Sequence, residues 1–285
     1  MTPYPLTAIL ADLHANTPAL GVALADARAR GVERFVCLGD VVGYGARPRE
    51  CLSMVMELCV PGARDAERDG MALVDGICLQ GNHEHALLHS AEDFNPKARA
   101  AIEWTRDEIR SDPDRERGYA FWDFIDSLEP MQVDDQTMYA HGSPRDPVRE
   151  YMLPRDIRDV DKMTANFKLM ERDVCFVGHS HVPAIYREDG RLFLPGGRGS
   201  ALDTGTEGAG EIVRDLAGVA RNRAIVNVGS VGQPRDGDNR LSYVTYDGSE
   251  VTFIRLPYEF ESAAAAIRAV PELPDYLADR LAVGR

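Results

Sequence analysis

Five of the seven histidines follow short apolar runs, in the company of Asp, Asn and Gly. Ile9-Leu10-Ala11 leads into Asp12-Leu13-His14, and Phe35-Val36-Cys37-Leu38 into Gly39-Asp40. Ile77-Cys78-Leu79-Gln80 leads into Gly81-Asn82-His83, and Met138-Tyr139-Ala140 into His141. Val174-Cys175-Phe176-Val177 leads into Gly178-His179-Ser180-His181. Each run reads as a buried strand, so each polar tail lands at a strand end, the edge where α/β proteins bind ligands. Two Asp, one Asn and four His gathered there make a mixed nitrogen and oxygen donor set suited to two divalent transition metals. Asp12 and His14 are two residues apart, and in extended backbone alternate side chains point the same way, so both can reach one ion. His179 and His181 repeat the arrangement. Asp40 offers a carboxylate able to bridge two ions, and Asn82 a neutral carbonyl oxygen. One such pair alone would mean little, because a surface or core-satisfied histidine is the commoner case; five pieces at five strand ends form a constellation.

Helical stretches alternate with these strands in the first half. The spacing predicts helices over 17–30, closed by Gly31, over 48–60, and from Asn95-Pro96 to about Arg110, with Pro in a favourable first-turn position. An aromatic-rich helix is expected from Tyr119 to Leu128, and another from about Pro154 to Met170. After Pro130 the pattern turns β-like, at 131–133 and 137–140. Further strands are expected at 184–187 and 191–194 around Asp189-Gly190, and at 224–228, 241–246 and 250–256, with Asp247-Gly248 as a hairpin turn. Residues 195–210, rich in Gly, Ser and Thr, read as an exposed excursion, either a lid or a tolerated insertion. Helices at 263–270 and 275–282, broken at Pro271 and Pro274, end the chain. Nothing resembles an interdomain linker, so residues 1–285 read as one domain.

The chain has 285 residues and a formal charge of −14, from 32 Lys and Arg against 46 Asp and Glu. That balance opposes an extended nucleic-acid footprint, which needs clustered cations to displace counterions. It does not oppose a small phosphate substrate, because bound metals supply local positive charge. No apolar stretch approaches the roughly 20 residues of a membrane span, and the first residues lack the basic start of a signal peptide. The five cysteines are an odd number without a metal-type CxxC pair. Read as reduced structural thiols, they point to a cytoplasmic protein. Oligomeric state leaves no mark in the sequence.

The order D-x-H, G-D, G-N-H-E, H-G and G-H-x-H resembles the calcineurin-like metallophosphoesterase superfamily, and within it the bacterial branch of small predicted phosphodiesterases. Supporting strings are Gly39-Asp40-Val41-Val42-Gly43-Tyr44-Gly45, Phe94-Asn95-Pro96, the run from His141 to Pro147, and the run from Asn227 to Asp238. The likeness extends from about residue 6 to the C-terminal helix. It implies a four-layer αββα sandwich, two mixed sheets back to back with helices outside. It also implies one metal held by Asp12, His14, Asp40 and His181, and a second by Asp40, Asn82, His141 and His179. A hydroxide bridging the metals would attack phosphorus, with His83 as the acid beside the scissile phosphate. Two ions about 3.5–4 Å apart suit that chemistry, and proton donation to the leaving oxygen suits a histidine. Manganese is the first choice of metal; iron, zinc and nickel are compatible with this donor set.

Two departures stand out. Ser/Thr protein phosphatases of this superfamily carry GDxVDRG after the second strand, and here Gly43-Tyr44-Gly45 occupies the Asp-Arg-Gly positions. The carboxylate that would pair with the catalytic histidine is absent, and so is the arginine that would grip phosphate. Val228 stands where the nearer relatives usually have Pro, a change in backbone stiffness. The expected activity is therefore hydrolysis of a phosphodiester or phosphomonoester in a small nucleotide-like substrate. Tyr44 and Phe94 are candidates to stack on a base, and Arg145 and Arg235 to meet phosphate. His85 and His89, four apart on a helix, are either a chelating pair or solvated. Glu84 either steers a site histidine, is solvated, or caps a helix. The rival readings are a protein phosphatase, a nuclease, which the charge opposes, and a metal-free protein-interaction scaffold on the same fold, which the filled donor positions oppose.

Overall fold

The computed structural model describes residues 4–60, 74–195, 210–215 and 223–285. Apart from Pro195 and Gly210, the Gly-rich excursion expected at 195–210 lies outside the described residues.

The apolar runs form strands because both of their faces are covered. Strands β1 (Thr7–Leu10), β2 (Arg34–Cys37) and β3 (Ile77–Cys78) are parallel neighbours. Strands β4 (Met131–Val133), β5 (Thr137–Ala140), β6 (Val174–Val177), β7 (Ala184–Arg187) and β8 (Leu192–Phe193) follow in the chain. Then come β9 (Gly210–Asp215), β10 (Ala224–Asn227), β11 (Leu241–Tyr246) and β12 (Glu250–Leu256). They build two mixed sheets, ordered β3-β2-β1-β11-β12-β9 and β4-β5-β6-β10-β7-β8. Strand β9 pairs antiparallel with β12 and was not expected from the sequence.

Side-chain alternation divides the core. Ile9, Val36, Val244 and Phe253 of one sheet meet Tyr139, Phe176, Ile185 and Val226 of the other between the sheets. Ala8, Leu10, Phe35 and Cys37 face the opposite way, under helices α1 (Thr17–Ala29), α2 (Pro48–Cys59), α3 (Asn82–Leu88), α4 (Pro96–Arg110) and α5 (Arg115–Ser127). Helices α7 (Phe260–Arg268) and α8 (Asp275–Val283) complete that layer. On the far side, Met138, Cys175, Val177 and Tyr186 pack against Met163 and Phe167 of α6 (Val160–Leu169). The expected four-layer sandwich is thus observed. Burying such a side chain contributes roughly 1.5–3 kcal/mol.

Three helices differ from expectation at their boundaries, among them α7, which starts at Phe260, three residues early, and ends at Arg268. The helix foreseen at Pro154–Met170 is a short 3-10 turn, Pro154–Arg158, followed by α6. Asp159 divides them: its carboxylate accepts the Lys162 N–H at 3.0 Å, an N-cap that starts a new helix rather than continuing the old one. Helix α5 begins at Arg115, four residues early, because Asp114 accepts the N–H groups of Glu116 and Arg117.

Candidate metal centre

The parallel strands β1, β2 and β3 end on one edge, and β5 and β6 end beside them. Asp12 and His14 follow β1, Asp40 follows β2, and Asn82 opens α3 after β3. His141 follows β5, and His179 and His181 follow β6. All but Asn82 are almost wholly buried. Their donor atoms form two groups, Asp12, His14, Asp40 and His181, and Asp40, His141 and His179, with the atoms of each group within 4.8 Å of one another. Asn82 joins the second, its Oδ1 3.1 Å from His141 Nε2.

The route to convergence differs from the extended backbone expected of Asp12-x-His14 and His179-x-His181. Asp12, His14, Asp40, His179 and His181 all have positive φ, between 48° and 63°. A left-handed residue costs an L-amino acid about 1–2 kcal/mol, so the ends of β1, β2 and β6 are kinked against local preference to turn their side chains inward. Main-chain bonds hold the kinks: Asp12 N–H to Gly39 O at 3.1 Å, His14 N–H to Asp40 O at 2.9 Å, and His179 N–H to Asp12 Oδ2 at 3.0 Å.

Every imidazole in the set is oriented by its outer nitrogen. His14 Nδ1 bonds Val42 O at 3.1 Å, and His141 Nδ1 bonds Leu38 O at 2.9 Å. His179 Nε2 bonds Arg149 O at 3.2 Å, and His181 Nδ1 bonds Gln233 O at 2.5 Å. A carbonyl can only accept, so each outer nitrogen carries the proton and the inner one presents a lone pair. That is the usual outer-sphere support of a metal-binding histidine. The inner nitrogens meet in pairs, His14 with His181 at 3.2 Å and His141 with His179 at 3.1 Å. Burial holds all four well below the ordinary imidazole range, His141 at about 4, so they are neutral. Burial pushes Asp40 up to about 7, and burial with repulsion from Asp40 raises Asp12. Facing lone pairs and crowded carboxylates in a buried pocket are a donor set that fits two cations.

His83 stands next to this set. Its Nε2 lies 4.0 Å from Asp40 Oδ2, and its main-chain N–H donates to Asp40 Oδ1 at 2.9 Å. Its Nδ1 is buried without a hydrogen-bond partner. Tyr44 and Phe94 pack edge-on to its ring, with centroids at 4.5 and 5.4 Å. Glu84 is fully buried rather than solvated, and it does more than cap its helix. Its carboxylate accepts the N–H groups of Gly81 at 2.9 Å, Asp40 at 2.8 Å and Val42 at 3.2 Å, binding the second and third strand-end loops together. It touches no site histidine by hydrogen bond. His85 and His89 stack with centroids 4.3 Å apart, and neither belongs to a donor cluster among the described residues.

A cleft of about 260 Å³ opens beside Asn82 and His179, lined by Tyr44, Phe94, Asp93, Arg149 and Tyr151 among others. Arg235 reaches the centre from the other side, its guanidinium 5.7 Å from the Tyr44 ring centre. Arg145 is not brought to the cleft; it is ion-paired with Glu150, which also accepts from Ser143 and Asn166. Sequence reasoning overlooked Tyr151, whose ring stacks on His179 at 3.8 Å and 25°. It also overlooked Arg149, whose carbonyl orients that histidine. Their only sequence signal is position, a few residues beyond the His141-Gly142-Ser143 string.

Comparison with known proteins bears on the family and the fold. A model of the calcineurin-like phosphoesterase superfamily domain matches residues 6–250. An uncharacterised protein of Methanocaldococcus jannaschii is 31% identical over 290 residues, covering 98% of each chain. The crystal structure of a metallophosphoesterase from Sphaerobacter thermophilus is 34% identical, covers 99% of this chain and 100% of its own, and superposes with a TM-score of 0.75. A hypothetical protein from Pyrococcus horikoshii, 17% identical over 98% of each chain, shares the fold with a TM-score of 0.70.

Proposed function

Because this chain belongs to the calcineurin-like phosphoesterase superfamily and is a hydrolase, we propose that it cleaves a phosphodiester or phosphomonoester bond in a small nucleotide-like substrate. The observation that carries the reading is that Asp40 belongs to both donor clusters. Asp12, His14, Asp40 and His181 would hold one divalent ion, and Asp40, Asn82, His141 and His179 the other. Manganese is the first choice, and iron, zinc or nickel suit the same carboxylate, amide and imidazole donors. When bound, such a pair supplies Lewis-acid activation of water and of the phosphoryl oxygens.

The chain's own residues do the rest. His83 faces the cluster through Nε2 and donates a hydrogen bond or proton to the leaving oxygen. Arg235 meets a phosphate oxygen. Tyr44, Phe94 and Tyr151 line a cleft of a size for a base or aryl group, and Arg149, not Arg145, lines it with them. A phosphoprotein substrate fits less well, since Gly43 lies where a protein phosphatase has its carboxylate. Neither does the −14 charge draw a long polyanion. No helix among the described residues is long and apolar enough to cross a membrane, and the five free thiols agree with action in the cytoplasm.

The test is a substrate panel with added Mn²⁺. Bis-(p-nitrophenyl) phosphate or a nucleotide diester should be cleaved faster than a phosphopeptide, with weak DNA binding at physiological salt. A phosphopeptide hydrolysed with tenfold higher kcat/KM than every diester would overturn the substrate ordering.

A further inference from the structure

One short segment meets His179 twice. Arg149 accepts its Nε2 proton through the main-chain oxygen at 3.2 Å, and the Tyr151 ring stacks on its imidazole at 3.8 Å. The residue between them, Glu150, turns the other way, towards α6. Its carboxylate accepts the Ser143 hydroxyl at 2.7 Å and the Asn166 side-chain amide at 2.9 Å, and pairs with the Arg145 guanidinium. Ser143 and Asn166 are wholly buried, and the Glu150 side chain is 11% exposed. Lys162 of the same helix stands 4.0 Å from the carboxylate and donates to the Tyr151 main-chain oxygen at 2.6 Å. Met152 continues the alternation, buried with Met163 and Phe167 of α6.

Glu150 belongs to neither donor cluster among the described residues. Its backbone nevertheless presses on Gly142, the residue after His141. A Cβ on Gly142 would lie 3.0 Å from Glu150 O and 3.1 Å from Glu150 N. The segment therefore reaches both histidines of the second cluster. The histidines of the first are oriented elsewhere, His14 by Val42 and His181 by Gln233. His179 also differs from the other three in its tautomer. Its outer nitrogen is Nε2, whereas His14, His141 and His181 face their carbonyls with Nδ1. A neutral imidazole carries its proton on either nitrogen. Turning the Nδ1 lone pair of His179 inward therefore depends on where the Arg149 carbonyl stands.

We infer that Glu150 is a positioning residue for the second metal site: anchored to Ser143, Arg145 and Asn166, it holds Arg149 and Tyr151 against His179 so that Nδ1 faces the cluster. The outer partner of a metal-binding histidine fixes its tautomer and ring orientation. Hydrogen bonds to an ionised carboxylate are the strong kind, so the anchor is stiff. Because Glu150 lies between the two residues that touch His179, any shift of its carboxylate is passed to the carbonyl on one side and the ring on the other. The inference rests on the two-cation reading of the donor clusters.

The test uses the full chain, first free of metal and then with Mn²⁺. Long-range proton–nitrogen NMR of histidine-labelled protein separates rings protonated at Nε2 from those protonated at Nδ1, and His179→Gln assigns the His179 signal. Wild type should show His179 protonated at Nε2. Glu150→Ala should mix the two tautomers of His179 and leave His14 and His181 protonated at Nδ1. In Mn²⁺ calorimetry the same variant should bind one ion about 10–100-fold more weakly and the other as wild type does. Glu150→Gln keeps the side-chain length and an accepting oxygen, and should restore most of both. Should Glu150→Ala fail to fold, Lys162→Met, which removes the tie to Tyr151, should weaken the same ion by a smaller factor. An unchanged His179 tautomer with two unchanged ions, in Glu150→Ala or in Lys162→Met where that variant alone folds, would overturn the inference. So would equal weakening of both ions with all the rings disturbed, the mark of a residue that serves the fold alone. If wild type binds no Mn²⁺, the two-cation reading fails, and the His179 tautomer in the metal-free variants alone decides the positioning.

Discussion

A Cβ placed on Gly43 would lie 2.0 Å from His83 Nδ1. The imidazole rests directly on the Gly43 backbone, which is itself left-handed at φ 87°. Residue 43 therefore sets where His83 stands, and no carboxylate can occupy that place without displacing the ring. Gly43→Ala should move His83, lower kcat at least tenfold with both metals retained, and cost about 1–3 kcal/mol of stability through backbone strain. Metal content, kcat and the urea midpoint measured together check this; wild-type kcat would show that the contact does not position the ring.

His83 is expected to act on the substrate rather than to hold a metal, since Asn82 already presents a donor from this turn. His83→Ala should keep its metals and lose about 10²–10⁴-fold in kcat. Loss of metal with full turnover per remaining ion would reverse the assignment.

Glu84 ties three main-chain N–H groups from two loops to one buried carboxylate. Each buried donor left without a partner costs about 1–3 kcal/mol. Glu84→Ala should therefore lower the unfolding free energy by about 3 kcal/mol or more and weaken Mn²⁺ binding, because Asp40 loses its support. Chemical unfolding and Mn²⁺ titration of the same preparation measure both, and a variant matching wild type in each would remove Glu84 from the account.

The strand-end donors were legible because their residue types are rare together and because strands covered on both faces read as plain apolar runs. The sandwich followed from the family resemblance, and the structure bears it out. The backbone at the donors was not legible. Nothing in Asp12-Leu13-His14 signals left-handed residues, which non-glycine residues adopt only when surrounding structure holds them. Tyr151 was invisible because its stacking on His179 joins segments that meet only in the folded chain. Strand β9 lies after a Gly-rich stretch with no apolar alternation to mark it. The Pro154–Met170 helix was misread because Asp159 is unremarkable within a helical pattern until its carboxylate is seen capping α6.

Far from the centre, Asp134 accepts from Arg34 at 2.8 Å, from Tyr4 at 3.2 Å and from Tyr139 at 3.1 Å. Burial pushes its carboxyl up, but the N–H groups of Gln136 and Thr137 and the Arg34 guanidinium outweigh that and hold it below the ordinary range. A depressed carboxyl contributes its stability above the unfolded-state value, about 3.9, and loses it as pH falls through the lower folded value. From about pH 5 down to about pH 2, the urea midpoint of wild type should fall more than that of Asp134→Asn. Parallel curves would show that the carboxylate contributes nothing.

The central claim is a pair of cations sharing Asp40. Its most direct test is the number of Mn²⁺ ions bound per chain, by elemental analysis and calorimetry after chelation and reloading, in wild type and Asp40→Asn. Wild type should bind two ions, with phosphoesterase activity that is lost on chelation and returns on reloading. In the variant both ions should bind far more weakly, with nearly all activity gone. A wild type that binds no ion would favour the metal-free scaffold, and an Asp40→Asn variant that keeps two tight ions and normal turnover would contradict the shared carboxylate.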